Sequence, residues 1–265
     1  EKHKEITDSI NYANRIQRSF LATTEMLASH FSSYYHGIEK GGDYFVFFQP
    51  KDVVSGDFYW CSLLNDGNIA ICCADSTGHG VPGAIMSILN ISSLEKAIEK
   101  ESEPHHILNT TRDLIIERLK NDGSKEGGKD GMDCSLLVFN KDKTQLTFAS
   151  AHNPVFIVRQ TPPILPFGEE KGGVAGGVAS ETELLEFKAD KMPVGKHDKD
   201  QVSFTLQTIS LQKGDIIYTI TDGFHDQFGG EKGKKYMIKK LKELFLIISS
   251  LTKRVQKKIL FEEFK

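Results

Sequence analysis

Ile6, Ile10, Ala13, Gln17, Phe20 and Leu27 fall near a heptad spacing, while Lys4, Asn11, Asn14, Arg15 and Arg18 lie off that stripe. The pattern predicts a helical arm over residues 1–32, with one side fit for packing. Two readings stay open: a helix laid on its own domain, or a linker helix that pairs with a second copy and continues upstream into a sensor domain. The chain starts inside the helix without a cap, which favours the second. From residue 43 the pattern shortens to β-rich runs at 44–49, 58–64 and 69–74, separated by Pro50-Lys51-Asp52 and by Asn65-Asp66-Gly67. The second separator is a hairpin signal, so the last two of these strands should be antiparallel. Pro82 opens a helix running to about residue 101, since a first-turn N–H has no partner to lose. A second helix, 105–120, follows Pro104 with no strand between the two. After a polar, glycine-rich loop at 121–131 come strands at 134–140, 145–150 and 155–159. The glycine-rich stretch 168–180 suits a mobile flap, and strands at 184–187, 202–211 and 215–221 precede two lysine-rich helices. Hairpins, two adjacent helices and more hairpins give α+β with antiparallel sheets rather than alternating βαβ units.

Composition narrows the class without changing this picture. Hydrophobic residues make up 39% of the chain beside 23 glycines, an ordinary globular balance that excludes disordered and collagenous chains. The longest apolar runs, such as 244–248, are about five residues against the roughly 20 needed to cross a bilayer. No secretion signal precedes the arm, so the chain reads as cytoplasmic and as a piece of something longer, with any membrane tether in an upstream region. The 33 basic and 36 acidic residues leave a net charge of −3, which provides no field for phosphate backbones, and nucleic acid is not expected. Cys61, Cys72, Cys73 and Cys134 lie in apolar strands without CxxC spacing and read as buried thiols in a reducing compartment.

The chemistry concentrates in Ala74-Asp75-Ser76-Thr77-Gly78-His79-Gly80-Val81-Pro82-Gly83. It puts a carboxylate at a strand end, then a tight turn, then a helix start. Gly78, Gly80 and Gly83 match GxGxxG, so a dinucleotide-binding domain is the remote alternative. The neighbouring hairpin and the second helix oppose it, and an Asp there would aim charge at a pyrophosphate. A hard cation explains the carboxylate better, because it takes oxygen donors from Asp and from carbonyls freed by a turn. Asp57 in SGDFYW and Asp222 in ITDGF repeat the pattern of Asp beside Gly at a strand end. Together the three point to a carboxylate-held metal centre.

Asp57 in SGDFYW, Asp75 in ADSTGHGVPGAIMS, the AHNP segment at 151–154 and ITDGFHDQFGG from Ile220 resemble the metal-dependent protein phosphatases (PPM, type 2C-like), in their bacterial SpoIIE-like branch. The resemblance covers residues 43–265. It implies an αββα sandwich of two antiparallel sheets flanked by helices, with two Mn2+ or Mg2+ ions at one end. Carried over, it implies that Asp75 bridges both metals, that the Ser76 carbonyl completes one, that Asp222 holds the second, and that Asp57 acts near the first. The activity implied is hydrolysis of phosphoserine or phosphothreonine by a metal-activated water. His79 stands where it could protonate the leaving oxygen, or is a plain turn histidine; Lys51 either meets the substrate phosphate or is an exposed strand-end lysine. Asp130 and Asp133 in GKDGMD lie where related enzymes hold a third ion, or simply close the loop. Asp226 reads as a support for Asp222 or a cap for the next helix. The resemblance also suggests a phosphorylated regulator of the anti-anti-sigma type as partner and substrate, which the lysines of the closing helices could receive. Family members usually end with a strand preceded by a paired-Asp ligand, whereas this sequence stops at Phe264-Lys265. The body, 33–265, is therefore expected to lack its last strand and to bind the second metal weakly. The alternative function is a catalytically weak phosphatase-like module that docks partners without turnover.

Overall fold

The structure, a computed structural model, describes residues 2–31, 34–35, 38–39, 43–120, 129–161, 181–229 and 233–264. The stretch 168–180, read above as a flap, lies outside the described residues. Helices α1 (Lys2–Phe20) and α2 (Thr24–Phe31) lead into the short pair β1 (Tyr34–Tyr35) and β2 (Ile38–Glu39). The body then runs β3 (Asp57–Leu63), β4 (Ile69–Ser76), α3 (Gly80–Ile98), α4 (Pro104–Leu119), β5 (Gly131–Phe139), β6 (Gln145–Ala151), β7 (Val155–Thr161) and β8 (Glu181–Phe187). It closes with β9 (Val194–Gly195), β10 (Gln207–Ser210), β11 (Ile216–Thr219), β12 (Phe228–Gly229), β13 (Lys234–Lys235), α5 (Ile238–Ile248) and α6 (Lys253–Phe264).

Two antiparallel sheets carry the body. One has the order β10-β6-β5-β4-β3 with β9 against β5, and the other the order β11-β7-β8. Three apolar clusters arrange these elements in four layers. Ala70, Cys72 and Ala74 of β4 turn to the helix side, where they pack with Ile91 and Leu94 of α3 and Ile107 and Ile115 of α4. Their small size lets the helix pair sit close on the sheet. Residues of opposite parity, among them Ile69, Cys61, Leu137 and Phe148, face the second sheet across Val155 and Ile157. On the far side of that second sheet, Phe156, Val158 and Tyr218 meet Leu241, Phe245, Ile248 and Leu260 of the closing helices. The result is the αββα sandwich implied by the resemblance. β4 is antiparallel to both neighbours, so the dinucleotide-binding reading of Gly78, Gly80 and Gly83 falls.

Several boundaries move. The arm is broken at residues 21–23, where the Ala22 N–H turns aside to donate to the Tyr59 carbonyl at 3.3 Å. The strand expected at 44–49 is no ladder member. Its alternation is real, with Tyr44 and Val46 on the inter-sheet cluster and Phe45 and Phe47 on the outer one, but alternation reports side-chain faces and not a hydrogen-bonding neighbour. A cavity of about 1130 Å3 runs beside this segment, past Phe45, Phe47, Tyr59 and Tyr218 as far as Asp57 and Thr221. The strand expected over 202–211 shrinks to β10, because Arg112 Nη1 and Asn109 Oδ1 bind the Val202 carbonyl and the Phe204 N–H at 2.7 and 3.1 Å. No helix among the described residues is long and apolar enough to cross a membrane.

The outer cluster centres on Phe245, whose ring stacks on Tyr218 with centroids 4.0 Å apart and planes 5° from parallel. Phe245→Ala is expected to lower the unfolding free energy by about 3–5 kcal/mol. Urea denaturation of wild type and variant checks this; a loss well under about 1 kcal/mol would mean that the closing helices are not part of the cooperative core.

Candidate metal centre

The strand register brings the acidic residues together. Asp57 is paired with Asp75 across β3 and β4, and Asp75 with Asp133 across β4 and β5. Residues directly opposite in a sheet share a face, so three carboxylates form one transverse row on the inter-sheet side. The β5–β6 register, Cys134 on Ala151, carries the row one strand further to His152. His152 Nδ1 is 2.8 Å from Asp133 Oδ1. From the second sheet Asp222 follows β11 and reaches a side-chain hydrogen bond with Asp75. The row sits at the ends of β3, β4 and β5, at one end of the sandwich.

Like charges gathered under burial resist ionisation. Burial first, then the charges of Asp57, Asp222 and Asp133, push the Asp75 carboxyl up to about 7. Burial pushes Asp57 up to about 6, opposed by a hydrogen bond from Thr221 and assisted by the charge of Asp222. Asp57 Oδ1 is buried with no hydrogen-bond partner among the described residues. An orphaned carboxylate oxygen beside other carboxylates is what a cation would satisfy.

Backbone oxygens converge on the same place. Gly56 must be glycine, because a Cβ there would stand 2.6 Å from the Gly78 carbonyl oxygen, 2.9 Å from that of Ser76 and 3.5 Å from Asp75 Oδ1. Gly78 sustains this turn at φ +91°. Asn90 of α3, fully buried, fixes it from beneath by donating to Ser76 Oγ at 3.0 Å and to the Gly131 carbonyl at 3.2 Å. The Thr77 N–H also donates to the Gly131 carbonyl, at 3.0 Å. Among the described residues no group of three or more His, Cys, Asp or Glu side chains is placed to hold a metal ion by itself. The donors at hand are carboxylates and two turn carbonyls, oxygen atoms of the kind a hard ion takes. The residues fit Mg2+ or Mn2+, with Asp57, Asp75, Asp222 and the Ser76 carbonyl as the oxygens at hand.

The remaining expected residues divide. Asp133 joins the row, while Asp130 is half-buried at the strand start and its carbonyl lies against Gly195. His79 occupies the N-cap of α3, is 92% exposed in its side chain, and has Asp52 as its ionic neighbour at 3.7 Å. Lys51 is exposed and borders the cavity that reaches Asp57. Asp226 pairs with Lys235 at 2.7 Å. Of the closing lysines, Lys240 and Lys242 are held by Glu263 and Glu186 at 3.3 and 2.6 Å. Sequence reasoning did not single out His152, Thr221 or Asn90. Only His152 carried a signal, as the histidine of AHNP; in the structure it holds a left-handed φ of +56°.

A family profile described as Stage II sporulation protein E (SpoIIE) matches residues 65–260. The SiaA-PP2C domain of Pseudomonas aeruginosa is 26% identical, with a TM-score of 0.77 over 100% of this chain and 91% of that one. The PP2C phosphatase domain of SpoIIE from Bacillus subtilis, solved with a fragment of its regulatory domain, is 19% identical, with a TM-score of 0.54 over 80% of this chain and 53% of that one. The RsbU and RsbW domains of Rv1364c from Mycobacterium tuberculosis share the fold at 16% identity, with a TM-score of 0.51 over 80% and 52%. Among curated proteins nothing matches.

The raised Asp75 carboxyl fixes the sign of a pH effect. Its folded pKa exceeds the unfolded value of about 3.9, so between the two the native state holds more protons and loses stability as pH rises. In chelator, Asp75→Asn should therefore melt at a higher temperature than wild type at about pH 8, and the gap should close by about pH 4. Thermal melts across that range test it; a gap of equal size at both ends would contradict the electrostatic cause.

Proposed function

The chain belongs to the SpoIIE-like branch of the metal-dependent serine/threonine protein phosphatases, and we propose that its Asp57, Asp75, Ser76 and Asp222 hold two Mn2+ or Mg2+ ions for that reaction. The observation that carries this reading is the in-register pair Asp57–Asp75, with a buried oxygen left unpaired on Asp57. When bound, the ions supply an activated water for hydrolysis of the phosphate monoester and neutralise charge on its oxygens. The chain's own part is to aim oxygens. Asp75 lies between Asp57 and Asp133 in the row and is reached by Asp222 from the other sheet, so it is the carboxylate shared between positions. Asp133, with His152 on its oxygen, borders the row and is the better candidate of the Asp130/Asp133 pair for a third, weaker position. His79 and Lys51, both exposed, are suited to meeting an incoming phosphoprotein rather than to holding metal.

The substrate we propose is a phosphoserine or phosphothreonine on a bacterial signalling protein of the anti-anti-sigma type, on the strength of the sequence resemblance. Fold alone does not choose a substrate. An upstream sensor and pairing of two copies through the arm belong to the same proposal. Ile6 and Tyr12 on α1 are each 58% exposed, large side chains available to a second helix. Ile6→Lys combined with Tyr12→Lys should shift any dimer to monomer in sedimentation equilibrium; an unchanged mass distribution of a dimeric protein would remove the arm from the interface.

Catalysis is tested by phosphate release from p-nitrophenyl phosphate or a phosphoserine peptide. Activity should require Mn2+ or Mg2+, and Asp75→Asn should lower it by more than about a hundredfold, the upper end of what loss of an outer-shell partner alone costs. Equal rates in the two proteins would sink the enzymatic reading and leave a docking module.

A further inference from the structure

Phe228 is the most exposed large apolar side chain among the described residues, at 74%, and Met237, at 55%, stands at the foot of the same hairpin. Single apolar residues on a surface need no explanation, but two on one short ladder that follows Asp222 ask for one. The ladder is brief, β12 on β13 with Phe228 opposite Lys235, yet it is firmly tied. The Tyr236 N–H donates to the Gln227 carbonyl at 2.8 Å, and the Met237 N–H to the His225 carbonyl at 2.9 Å. The second bond holds Met237 at φ +73°, a conformation that a residue with a Cβ adopts only at a cost. A hairpin selected for stability alone would place glycine there. Phe224 anchors the base from inside, its ring edge-on to Tyr236 at 5.5 Å and to Phe47 at 5.7 Å.

The same hairpin is fixed to the metal centre. The Asp226 N–H donates to the Asp222 carbonyl at 2.9 Å, and Gln227 Nε2 to the Gly223 carbonyl at 3.0 Å. Gly223 in turn lies against Asp57, where a Cβ would stand 3.6 Å from Oδ2. Phe228 therefore follows directly on a side chain that grips the Asp222 turn, and hydrogen bonds set its place relative to the carboxylates. Asp226 would add negative charge beside the row, but Lys235 offsets it at 2.7 Å, next to Phe228 on one face of the ladder. The approach over Phe228 is thus apolar and locally neutral, open to a phosphorylated chain that bare carboxylates would repel. We infer that the β12–β13 hairpin is the substrate-docking lip of the metal centre, on which Phe228 and Met237 receive an apolar residue beside the phosphorylated serine or threonine. Two residues of extended chain span roughly 7 Å, so the neighbours of a serine whose phosphate lies on the row come within reach of the lip. An aromatic ring suits the task as a rigid anchor and a methionine as adaptable cover. The inference rests on the phosphatase reading above and adds the class of sequence that it selects.

Steady-state hydrolysis of two phosphoserine peptides in Mn2+ tests it, one with leucine and one with asparagine at the two positions on either side of the phosphoserine. The two side chains are similar in size and uncharged, so the acidic row treats them alike. Wild type should show a KM for the leucine peptide about five- to tenfold below that for the asparagine peptide, near the lower end of what an apolar contact contributes to discrimination. Phe228→Ser should bring that ratio to about one by raising the leucine KM. Met237→Gly removes the second side chain at a φ that glycine accepts, and should cut the ratio about twofold. Val202→Ser, at an exposed apolar residue on the α4 side, should keep the wild-type ratio. Equal KM values for the two peptides in wild type overturn the inference and leave the phosphatase reading standing. So does a wild-type ratio in Phe228→Ser; if that variant also shifts a dimer to monomer in sedimentation equilibrium, the face belongs to a second copy. A ratio that collapses equally in Val202→Ser overturns it as a general effect of surface change. A wild type that releases phosphate from neither peptide nor from p-nitrophenyl phosphate overturns both readings.

Discussion

Mutual repulsion among carboxylates lined up in one row is the constraint that the rest of the molecule answers to. Asp57, Asp75 and Asp133 occupy successive strands at one level, and Asp222 closes on them from the other sheet. Left to themselves, such groups would separate or take up protons; burial first, and the neighbouring charges after it, raise the Asp57 and Asp75 carboxyls. The three of the row stay together because each sits in a strand ladder. Continuous antiparallel ladders hold β3, β4 and β5, and the sheet is backed by the fully buried side chains of α3 and α4. A loop-borne cluster would relax, whereas a row fixed by strand register keeps its carboxylates together.

The row is assembled from segments far apart in sequence, and this decides what could be read beforehand. Asn65-Asp66-Gly67 makes the β3–β4 hairpin legible, and with it the proximity of Asp57 and Asp75. Between β4 and β5 lie both helices α3 and α4, so the register that sets Asp133 opposite Asp75 has no local signal. The same holds for Thr221, whose hydrogen bond to Asp57 crosses from one sheet to the other. Gln17 was visible as a member of the arm stripe, yet a heptad count reports only that a face is used and not that its one polar member bonds a distant backbone. The β-rich run at 44–49 misled in the opposite sense: Tyr44 to Phe47 alternate between the two apolar clusters, yet the ladder is absent.

Polar side chains on helices, more than apolar ones, connect these layers to the site. α3 presents Ser87 and Asn90 three residues apart along one buried stripe, both with no exposure. Ser87 receives the arm through Gln17, and Asn90 holds the Ser76 turn and the start of β5. Buried polar groups of this kind contribute little net stability when satisfied and cost about 1–3 kcal/mol when a partner is lost. Their value lies in direction, because a hydrogen bond fixes angle and distance where a hydrophobic contact tolerates sliding.

That directionality resolves a difficulty posed by the long crossover. A chain that leaves β4, makes two helices and returns as β5 closes a large loop, and nothing in its length guarantees a register good to one residue. A slip by one position would turn Asp133 to the opposite face and remove it from the row. Asn90 lies inside that crossover and bonds both of its ends, Ser76 Oγ on departure and the Gly131 carbonyl on return, while the Thr77 N–H donates to the same carbonyl. The segment that separates the two strands in sequence therefore carries the group that sets them in register. Fold and site share this one determinant: the hydrogen bonds that seat β5 beside β4 also hold the turn carbonyls and the carboxylate row in place relative to one another.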